Sequence, residues 1–249
     1  MDHAWEHVRV PLPMGDVYTR IGGRKSQAPV VLVHGFVLAG DYMMPAAEAL
    51  APFARIYVPD LPGYGLSDRP RGPLDLPSLG NRLAEWMEQL KLNRAHFIGN
   101  SFGCQVLVEF AARHARFVHR LILQGPTVDP AARSIATQLL RLVKNSRIES
   151  PGLGSLMFRD YWRAGLRGIV AAARMALRDR LEPKLKQINV PTLVVRGSRD
   201  VLVPQEWAER MVQLLPNGEL LVMPGLAHTI IYTAPALFAG AIRPFLRMS

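Results

Sequence analysis

Cysteine is almost absent from this chain of 249 residues, since Cys104 is the only one. A single cysteine excludes an internal disulfide and a cysteine-based metal site. Long apolar runs are also lacking, and none approaches the ~18 residues that a membrane span needs. The first fifteen residues, MDHAWEHVRVPLPMG, have no uninterrupted apolar stretch of the signal-peptide kind. We therefore expect a soluble, cytoplasmic protein without a membrane span.

Acidic residues are scarce relative to basic ones, 20 against 30, and the formal net charge is +10. Such an excess can indicate nucleic-acid binding. However, the chain has no run of basic residues typical of that function, and its aromatic residues do not interleave with its arginines. Metal-ligand clusters are lacking too, and Gly63 and Gly65 do not form a dinucleotide-binding G-x-G-x-x-G motif. We expect no nucleic-acid partner, no metal and no cofactor.

What the chain does have is 49% hydrophobic residues, enough for one large core. Apolar runs alternate with amphipathic stretches, which predicts an α/β fold with a mostly parallel sheet and helices on both faces. The N-terminal segments 4–13 and 15–23 instead resemble an antiparallel pair that turns at Pro13-Met14-Gly15. The predicted strands of the parallel part are 28–35, 54–63, 94–100, 118–126, 191–200 and 218–225, and the predicted helices are 43–51, 76–91, 101–115, 205–215 and 234–247.

Segment 129–185 interrupts this alternation because it carries no strand pattern. Ile135, Leu139, Leu142 and Val143 share one face at helical spacing, and a second apolar face follows the Pro-Gly pair at 151–152, namely Leu166, Ile169, Val170, Ala173 and Leu177. We predict a helical cap, 129–185, inserted into an α/β core formed by 1–128 and 186–249. The apolar faces are expected to cover the end of the sheet, with an apolar wall supplied by Met157, Phe158, Tyr161 and Trp162.

Chemically capable side chains collect where the predicted strands end. Ligands of parallel α/β sheets bind at the carboxyl ends of the strands. Ser101 stands there between two glycines, after a strand and before a helix. Asp200 and His228 follow later strands, so the order Ser, Asp, His is available. Asp129 is a rival acid, and Asn100 is predicted either to touch substrate or to serve the local turn.

Six other histidines compete with His228, but none has an equally suitable position. His34 belongs to a strand-end motif and is predicted to be scaffold, and His96 lies inside a strand. The remaining four are not at strand ends that face the site: His3, His7, His114 and His119. Asp60 is expected to close a turn, and Cys104 to be a small packed residue.

Five motifs together resemble the α/β-hydrolase fold superfamily. They are VLVHGF at 31–36, DLPGYGLSD at 60–68, GNSFG at 99–103, RGSRDVLVP at 196–204 and GLAH at 225–228. The resemblance runs from about residue 28 to 247. G-x-S-x-G alone is a modest signal, but here it follows a strand, opens a helix, and has Asp and His in the expected order. Within this superfamily, the chain resembles the serine esterases and the meta-cleavage-product hydrolases.

The chemistry of a serine nucleophile explains why these residue types occur together. A serine hydroxyl needs a base to take its proton, and the imidazole of His228 is predicted to be that base. Asp200 would orient the imidazole ring. The backbone N–H of Phe102, at the start of a helix, is expected to bind the oxyanion of the tetrahedral intermediate. The resemblance implies the second donor, the backbone N–H of Phe36.

Serine at this turn points to acyl transfer, whereas relatives such as haloalkane dehalogenases use aspartate. The sequence therefore predicts a carboxylesterase-like enzyme that acts on a small-molecule ester through an acyl-enzyme and exists as a monomer or homodimer. A carbon–carbon bond hydrolase is an alternative, because GNSFG resembles the GNSMG of meta-cleavage-product hydrolases, although Cys104 replaces their next glycine. A ligand-binding receptor on a hydrolase scaffold is a second alternative.

Overall fold

In the residues that the structure describes, the fold is built on one sheet of eight strands. The computed structural model describes residues 4–25, 29–70, 74–146 and 152–247. The strands are β1 Glu6–Val10, β2 Val17–Gly23, β3 Val30–Val33, β4 Arg55–Pro59, β5 Ala95–Asn100, β6 Val118–Gln124, β7 Thr192–Gly197 and β8 Gly218–Met223. Their order in the sheet is β1-β2-β4-β3-β5-β6-β7-β8. β2 pairs antiparallel with both β1 and β4, and all other neighbours are parallel.

Helices cover both faces of this sheet, so the central strands are buried on both sides, as their continuous apolar runs require. The helices are α1 Met44–Leu50, α2 Leu76–Gln89, α3 Phe102–Arg113, α4 Ile135–Ser146, α5 Leu153–Arg178, α6 Leu181–Leu185, α7 Gln205–Leu214, α8 Ile230–Thr233 and α9 Pro235–Leu246. One buried cluster joins the sheet to α2, α3, α6 and α7, and the other joins it to α1, α8 and α9. In the described part of the chain, no helix has the length and apolarity needed to cross a membrane.

The predicted α/β architecture is confirmed. Each predicted strand is present and slightly shorter than its apolar run, because the flanking residues enter the turns. The predicted N-terminal pair is also present, with Glu6 opposite Ile21 and Val10 opposite Val17. The turn between the two strands contains Gly15, whose φ of +122° is a value that glycine adopts readily.

The segment between β6 and β7 is helical, as expected. Its described residues form α4, α5 and α6 and no strand. α5 breaks at Gly165, where φ is 66° and ψ is 168°, a conformation outside the helical region. The Pro151 half of the predicted Pro-Gly break lies outside the described residues. The domain boundaries at 129 and 185 stay predictions.

The orientation of α4 differs from the expectation. Its apolar face was predicted to cover the sheet end, but Ile135, Leu139, Leu142 and Val143 are exposed. The polar side of the helix faces inward instead, because Arg141 donates to the Leu202 carbonyl and forms an ion pair with Asp129. On α5, Leu166 and Val170 of the second predicted face are exposed as well, whereas Ile169, Ala173 and Leu177 are partly buried.

Candidate active site

Ser101 occupies the sharp turn between β5 and α3. Its φ is 53° and its ψ is −118°, and a positive φ is strained for any residue with a Cβ. The close approach of strand and helix requires glycine next to it: a Cβ at Gly103 would lie 2.4 Å from the Val33 carbonyl oxygen, and one at Gly99 would lie 2.9 Å from a Leu107 methyl carbon. The turn therefore holds the serine at the carboxyl edge of the sheet.

Asp200 and His228 meet at the same edge. Asp200 follows β7 and His228 follows β8, and Asp200 Oδ2 lies 2.8 Å from His228 Nδ1. The other carboxylate oxygen, Oδ1, accepts the N–H groups of Leu202 at 2.8 Å and Val203 at 3.1 Å, which fixes the carboxylate. Because a carboxylate only accepts, Nδ1 carries the proton of the neutral imidazole. The basic lone pair of the ring is therefore on Nε2.

Gln124, at the end of β6, connects the serine turn to the histidine loop. Its backbone carbonyl accepts the Ser101 N–H at 2.9 Å, and its side-chain Nε2 donates to the His228 carbonyl at 2.9 Å. Its Oε1 accepts from Asn100 Nδ2 at 2.5 Å. Gln124 is not among the residues predicted from the sequence, although a glutamine at the end of the apolar run LILQ is a signal. A buried polar side chain requires partners, and here the partners are parts of the site.

Asn100 is accordingly placed in the scaffold. Its side chain is 2% exposed, and its amide is held by Gln124, so the structure does not present it to a substrate. Two further residues that the sequence did not single out lie at the site. Thr127 Oγ1 is 3.5 Å from Ser101 Oγ. Gly125 has a φ of 59°, and a Cβ there would approach His228 Cε1 to 2.8 Å, so only glycine leaves room for the ring.

The loop after β3 carries Phe36 and lies against the start of α3. The Phe36 ring meets Phe102 edge-on at 6.3 Å and Tyr161 of the cap at 6.4 Å. Two carboxylates hold the far end of this loop: Asp160 Oδ2 accepts the Ala39 N–H at 3.1 Å, and Asp60 accepts that of Gly40 at 2.7 Å. The first contact ties the loop to the cap, and the second ties it to the core.

His34 supports the same loop from within the core, as predicted. Its side chain is fully buried, and Nε2 accepts the Leu61 N–H at 2.9 Å while Nδ1 donates to the Gly35 carbonyl. Burial lowers the pKa of His34, so the ring stays neutral. A neutral ring is what this pair of contacts requires.

The four predicted wall residues of the cap divide into two pairs. Met157 and Tyr161 are partly buried against the core, and burial raises the pKa of Tyr161 to about 12. Phe158 and Trp162 are 71% and 79% exposed and stack on each other at 6.2 Å. They do not form the expected enclosed wall, because α5 turns this pair of positions toward solvent.

The rival residues have other partners. Asp129 accepts from the Ala131 N–H and pairs with Arg141, which makes it a turn residue at the cap entry. Asp60 is fully buried and accepts from Arg20, Gly40 and Leu66.

Cys104 is also fully buried, and burial raises the pKa of its thiol well above the usual value. Its thiol lies between the Gly99 and Gln124 carbonyls, at 3.3 Å from each. Across the ranges that the structure describes, no group of three or more His, Cys, Asp or Glu side chains is arranged to hold a metal ion.

Comparison with known proteins identifies the family of this chain. The sequence matches the Alpha/beta hydrolase family over residues 30–241. This chain belongs to that family. It is similar to the 2-hydroxy-6-oxo-2,4-heptadienoate hydrolase of Pseudomonas putida, with 25% identity over 93% of this chain and 94% of that protein.

Solved structures with the same fold carry several activities in their names. An enol-lactonase from Burkholderia xenovorans superposes with a TM-score of 0.78 and 21% identity, over 94% of this chain and 97% of that one. A bromoperoxidase from Bacillus anthracis has a TM-score of 0.80 and 19% identity, over 98% of this chain and 100% of that one. At these sequence identities, the structural similarity establishes the fold but does not define the reaction.

Proposed function

We propose that this protein is a cofactor-free serine hydrolase that cleaves carboxylic esters, in the manner of a carboxylesterase, through an acyl-enzyme. One observation carries the proposal: Ser101 is held on a strained turn at the sheet edge where His228 is already oriented by Asp200. A nucleophile, a base and a group that orients the base are the minimum set for such chemistry.

In the proposed first half-reaction, Ser101 Oγ attacks the ester carbonyl carbon while His228 Nε2 takes the hydroxyl proton. The carbonyl oxygen becomes an oxyanion, which the backbone N–H groups of Phe36 and Phe102 stabilise. As the intermediate collapses, the bond to the alcohol oxygen breaks and His228 returns the proton to that oxygen. The acyl group remains on Ser101, and the alcohol leaves.

In the second half-reaction, His228 Nε2 takes a proton from water, whose oxygen attacks the acyl carbon. As this second intermediate collapses, the bond between the acyl carbon and Ser101 Oγ breaks, His228 Nε2 returns the proton to Oγ, and the carboxylic acid leaves. Asp200 stabilises the imidazolium that forms twice in each cycle, and its two backbone donors keep it in place. Gln124 is proposed as a positioning residue, since it holds both the serine turn and the histidine loop.

Aromatic rings favour an apolar acyl or aryl substrate. Phe36, on the loop after β3, and Tyr161, on the cap, are partly exposed and meet edge-on, and Phe36 also packs edge-on against the buried ring of Phe102. Rings of this kind supply much of the contact area of small-molecule sites. We therefore propose small to medium esters as substrates.

A carbon–carbon bond hydrolase is the second candidate. The similarity to a 2-hydroxy-6-oxo-2,4-heptadienoate hydrolase along nearly the whole chain favours it. The same three residues would serve that reaction, so the site geometry alone does not distinguish the two. The substrates do, because a dienoate of this kind carries a carboxylate and a ketone in place of an ester.

A hydrolysis screen tests the two candidates directly. p-Nitrophenyl esters of graded chain length are compared with a dienoate substrate, using wild-type enzyme and Ser101→Ala. We expect ester turnover in the wild type and a loss of several powers of ten in the variant. A higher kcat/KM for the dienoate than for every ester would instead favour the carbon–carbon reaction.

A labelling experiment tests the nucleophile independently of the substrate. A fluorophosphonate probe should label the wild-type protein and leave Ser101→Ala unlabelled, with both proteins showing the same circular dichroism spectrum. Labelling that persists in the variant would remove Ser101 from the proposal.

A further inference from the structure

The cap carries most of the exposed apolar side chains. Among the described residues, twelve large apolar side chains are exposed, and nine of them lie on α4 and α5. We call these nine the cap apolar surface: Ile135, Leu139, Leu140, Leu142 and Val143 on α4, and Phe158, Trp162, Leu166 and Val170 on α5. Exposed apolar side chains that concentrate on two successive helices indicate a part of the chain that meets another molecule or a membrane.

Contacts on the polar side of α4 fix the outward direction of its apolar residues. Arg141 Nη2 lies 2.9 Å from Asp129 Oδ2, and its Nη1 lies 3.3 Å from the Leu202 carbonyl. Gln138 Nε2 donates to the Ala132 carbonyl at 2.6 Å. An amphipathic helix normally turns its apolar side to the core. Here the polar side is bonded to the protein, so the apolar side is presented to the surroundings.

On α5, basic residues accompany the apolar ones. Phe158 and Trp162 are stacked and exposed, and Arg163 and Arg167 each follow an exposed apolar residue by one position. Within the part of the chain that the structure describes, Arg163, Arg167 and Arg174 belong to no ion pair. Their charge is therefore available to an anionic surface.

We propose that the cap apolar surface binds the face of a lipid bilayer that contains anionic phospholipids. Aromatic and aliphatic side chains flanked by arginines are the composition of helices that lie in the membrane interface. The anionic leaflet of a membrane attracts such basic residues. The cap supplies the required charge: residues 129–185 contain 11 Lys or Arg and 5 Asp or Glu, a net of +6.

Charge also decides between a bilayer and a second copy of the chain. Two copies that met through this surface would bring one cap of net charge +6 against another. Like charges across an interface disfavour association. Anionic headgroups would instead neutralise the arginines while the acyl region takes up the apolar side chains.

Vesicle binding tests the proposal separately from catalysis. Ser101→Ala protein is sedimented with vesicles of phosphatidylcholine alone or of phosphatidylcholine with phosphatidylglycerol. We expect a partition coefficient at least about tenfold higher for the anionic vesicles, and a fall with added salt because exposed charges are screened. Equal binding to both vesicles, or none to either, would overturn the proposal whatever the enzyme hydrolyses.

Paired variants locate the surface. Phe158→Ser with Trp162→Ser should lower the partition coefficient about tenfold or more, as should Arg163→Glu with Arg167→Glu. The matched controls lie outside the cap: Leu237→Ser replaces a side chain that is 65% exposed on α9, and Arg210→Glu replaces an exposed arginine on α7. Equal losses in the controls would contradict the assignment to the cap.

Trp162 supplies a spectroscopic readout of the same event. Trp86 and Trp207 are buried and Trp5 is partly buried against the core, whereas Trp162 is 79% exposed. Brominated lipids should therefore quench the wild type more than Trp162→Phe, which keeps an aromatic ring. If analytical ultracentrifugation shows a dimer that Phe158→Ser with Trp162→Ser converts to a monomer, and vesicles bind neither protein, then a second copy is the occupant and the proposal fails.

Discussion

At the scale of single residues, the structure distinguishes Asp129 from Asp200, the two carboxylates that the sequence offers as candidates for orienting His228. Both follow a strand, but only Asp200 lies against His228, at 2.8 Å. Asp129 is bonded to the Ala131 N–H and to Arg141. A carboxylate with a cation and a backbone donor as partners stabilises the cap entry and has no part in orienting the imidazole.

We predict that Asp200→Asn lowers kcat far more than Asp129→Asn. An amide at position 200 can donate to His228 Nδ1 and favour the wrong tautomer, a loss of about 10⁴ in the serine protease that is the standard example. Asp129→Asn should change kcat by less than about tenfold and mainly lower the Tm. Steady-state kinetics on the best ester measures both. The reverse order would move the acid to Asp129.

His96 makes stability depend on pH. Its side chain is 2% exposed, and burial, with smaller contributions from His119, Arg120 and Arg94, lowers its pKa to about 4. In the unfolded chain the pKa of histidine is about 6.5. Between these two values the unfolded state binds more protons. The free energy of unfolding therefore falls as the pH falls from about 6.5 to about 4, by up to about 1.4 kcal/mol per pH unit from this residue.

His96→Phe tests this dependence, because phenylalanine keeps a ring and removes the proton. Urea unfolding at several pH values from 7 to 4 should give a shallower loss of stability in the variant than in the wild type. Other histidines with lowered pKa leave a residual slope in both proteins. Parallel curves for the two proteins would show that His96 does not titrate in this range.

At the scale of elements, α5 is attached to the loop that carries Phe36. Asp160 is 3% exposed and accepts from the Ala39 N–H, while Arg159 pairs with both Asp160 and Asp41. Asp41 also pairs with the buried Arg20 of β2. This chain of charges joins the cap to the sheet through the loop. The position of the cap and the position of the loop that carries Phe36 are therefore linked.

We predict that Asp160→Ala lowers kcat about tenfold, because it frees the Ala39 N–H and displaces a proposed oxyanion donor without removing it. Asp160→Asn keeps an acceptor oxygen and should retain most of the activity. Steady-state kinetics and thermal unfolding of both variants check this. If the two variants lose kcat equally, the charge of Asp160 matters and its hydrogen bond to the loop does not.

At the scale of the whole molecule, more than half of the net charge lies in the cap, +6 of +10. Exposed charges act over roughly 8–10 Å at physiological salt. If the cap steers substrates, kcat/KM for a carboxylate-bearing ester should fall with ionic strength, while that for a neutral ester of similar size stays constant. Equal responses of the two substrates would mean that the arginines do not guide substrate to the site.

Much of this molecule follows from local patterns in the sequence. Continuous Val-rich runs such as 30–33 predicted buried parallel strands, because both faces of such strands must be apolar. The glycines around Ser101 predicted the sharp turn, since the space they leave is set by neighbouring backbone. The positions of Asp200 and His228 after strands predicted that the two would share an edge, since parallel strands end on the same side.

Local patterns did not predict which way the cap helices face. An apolar stripe shows only that one side of a helix differs from the other. In α4, contacts with residues elsewhere in the chain determine which side faces inward. Leu202 and Asp129 hold the polar side of that helix through Arg141. The contact between Gln124 and Asn100 was likewise not predictable from the sequence, because the two residues are 24 positions apart and meet only when β5 and β6 lie side by side.

The sequence by itself determined the α/β architecture, the serine turn and the order of the chemically capable residues, because periodicity, glycine spacing and strand ends are local properties of a chain. Tertiary structure alone decided that Asp200 and not Asp129 reaches His228, that Asn100 is turned into the core, and that Phe158 and Trp162 face outward. Those outcomes depend on contacts between segments distant in sequence, and no local pattern records which of several possible contacts will form.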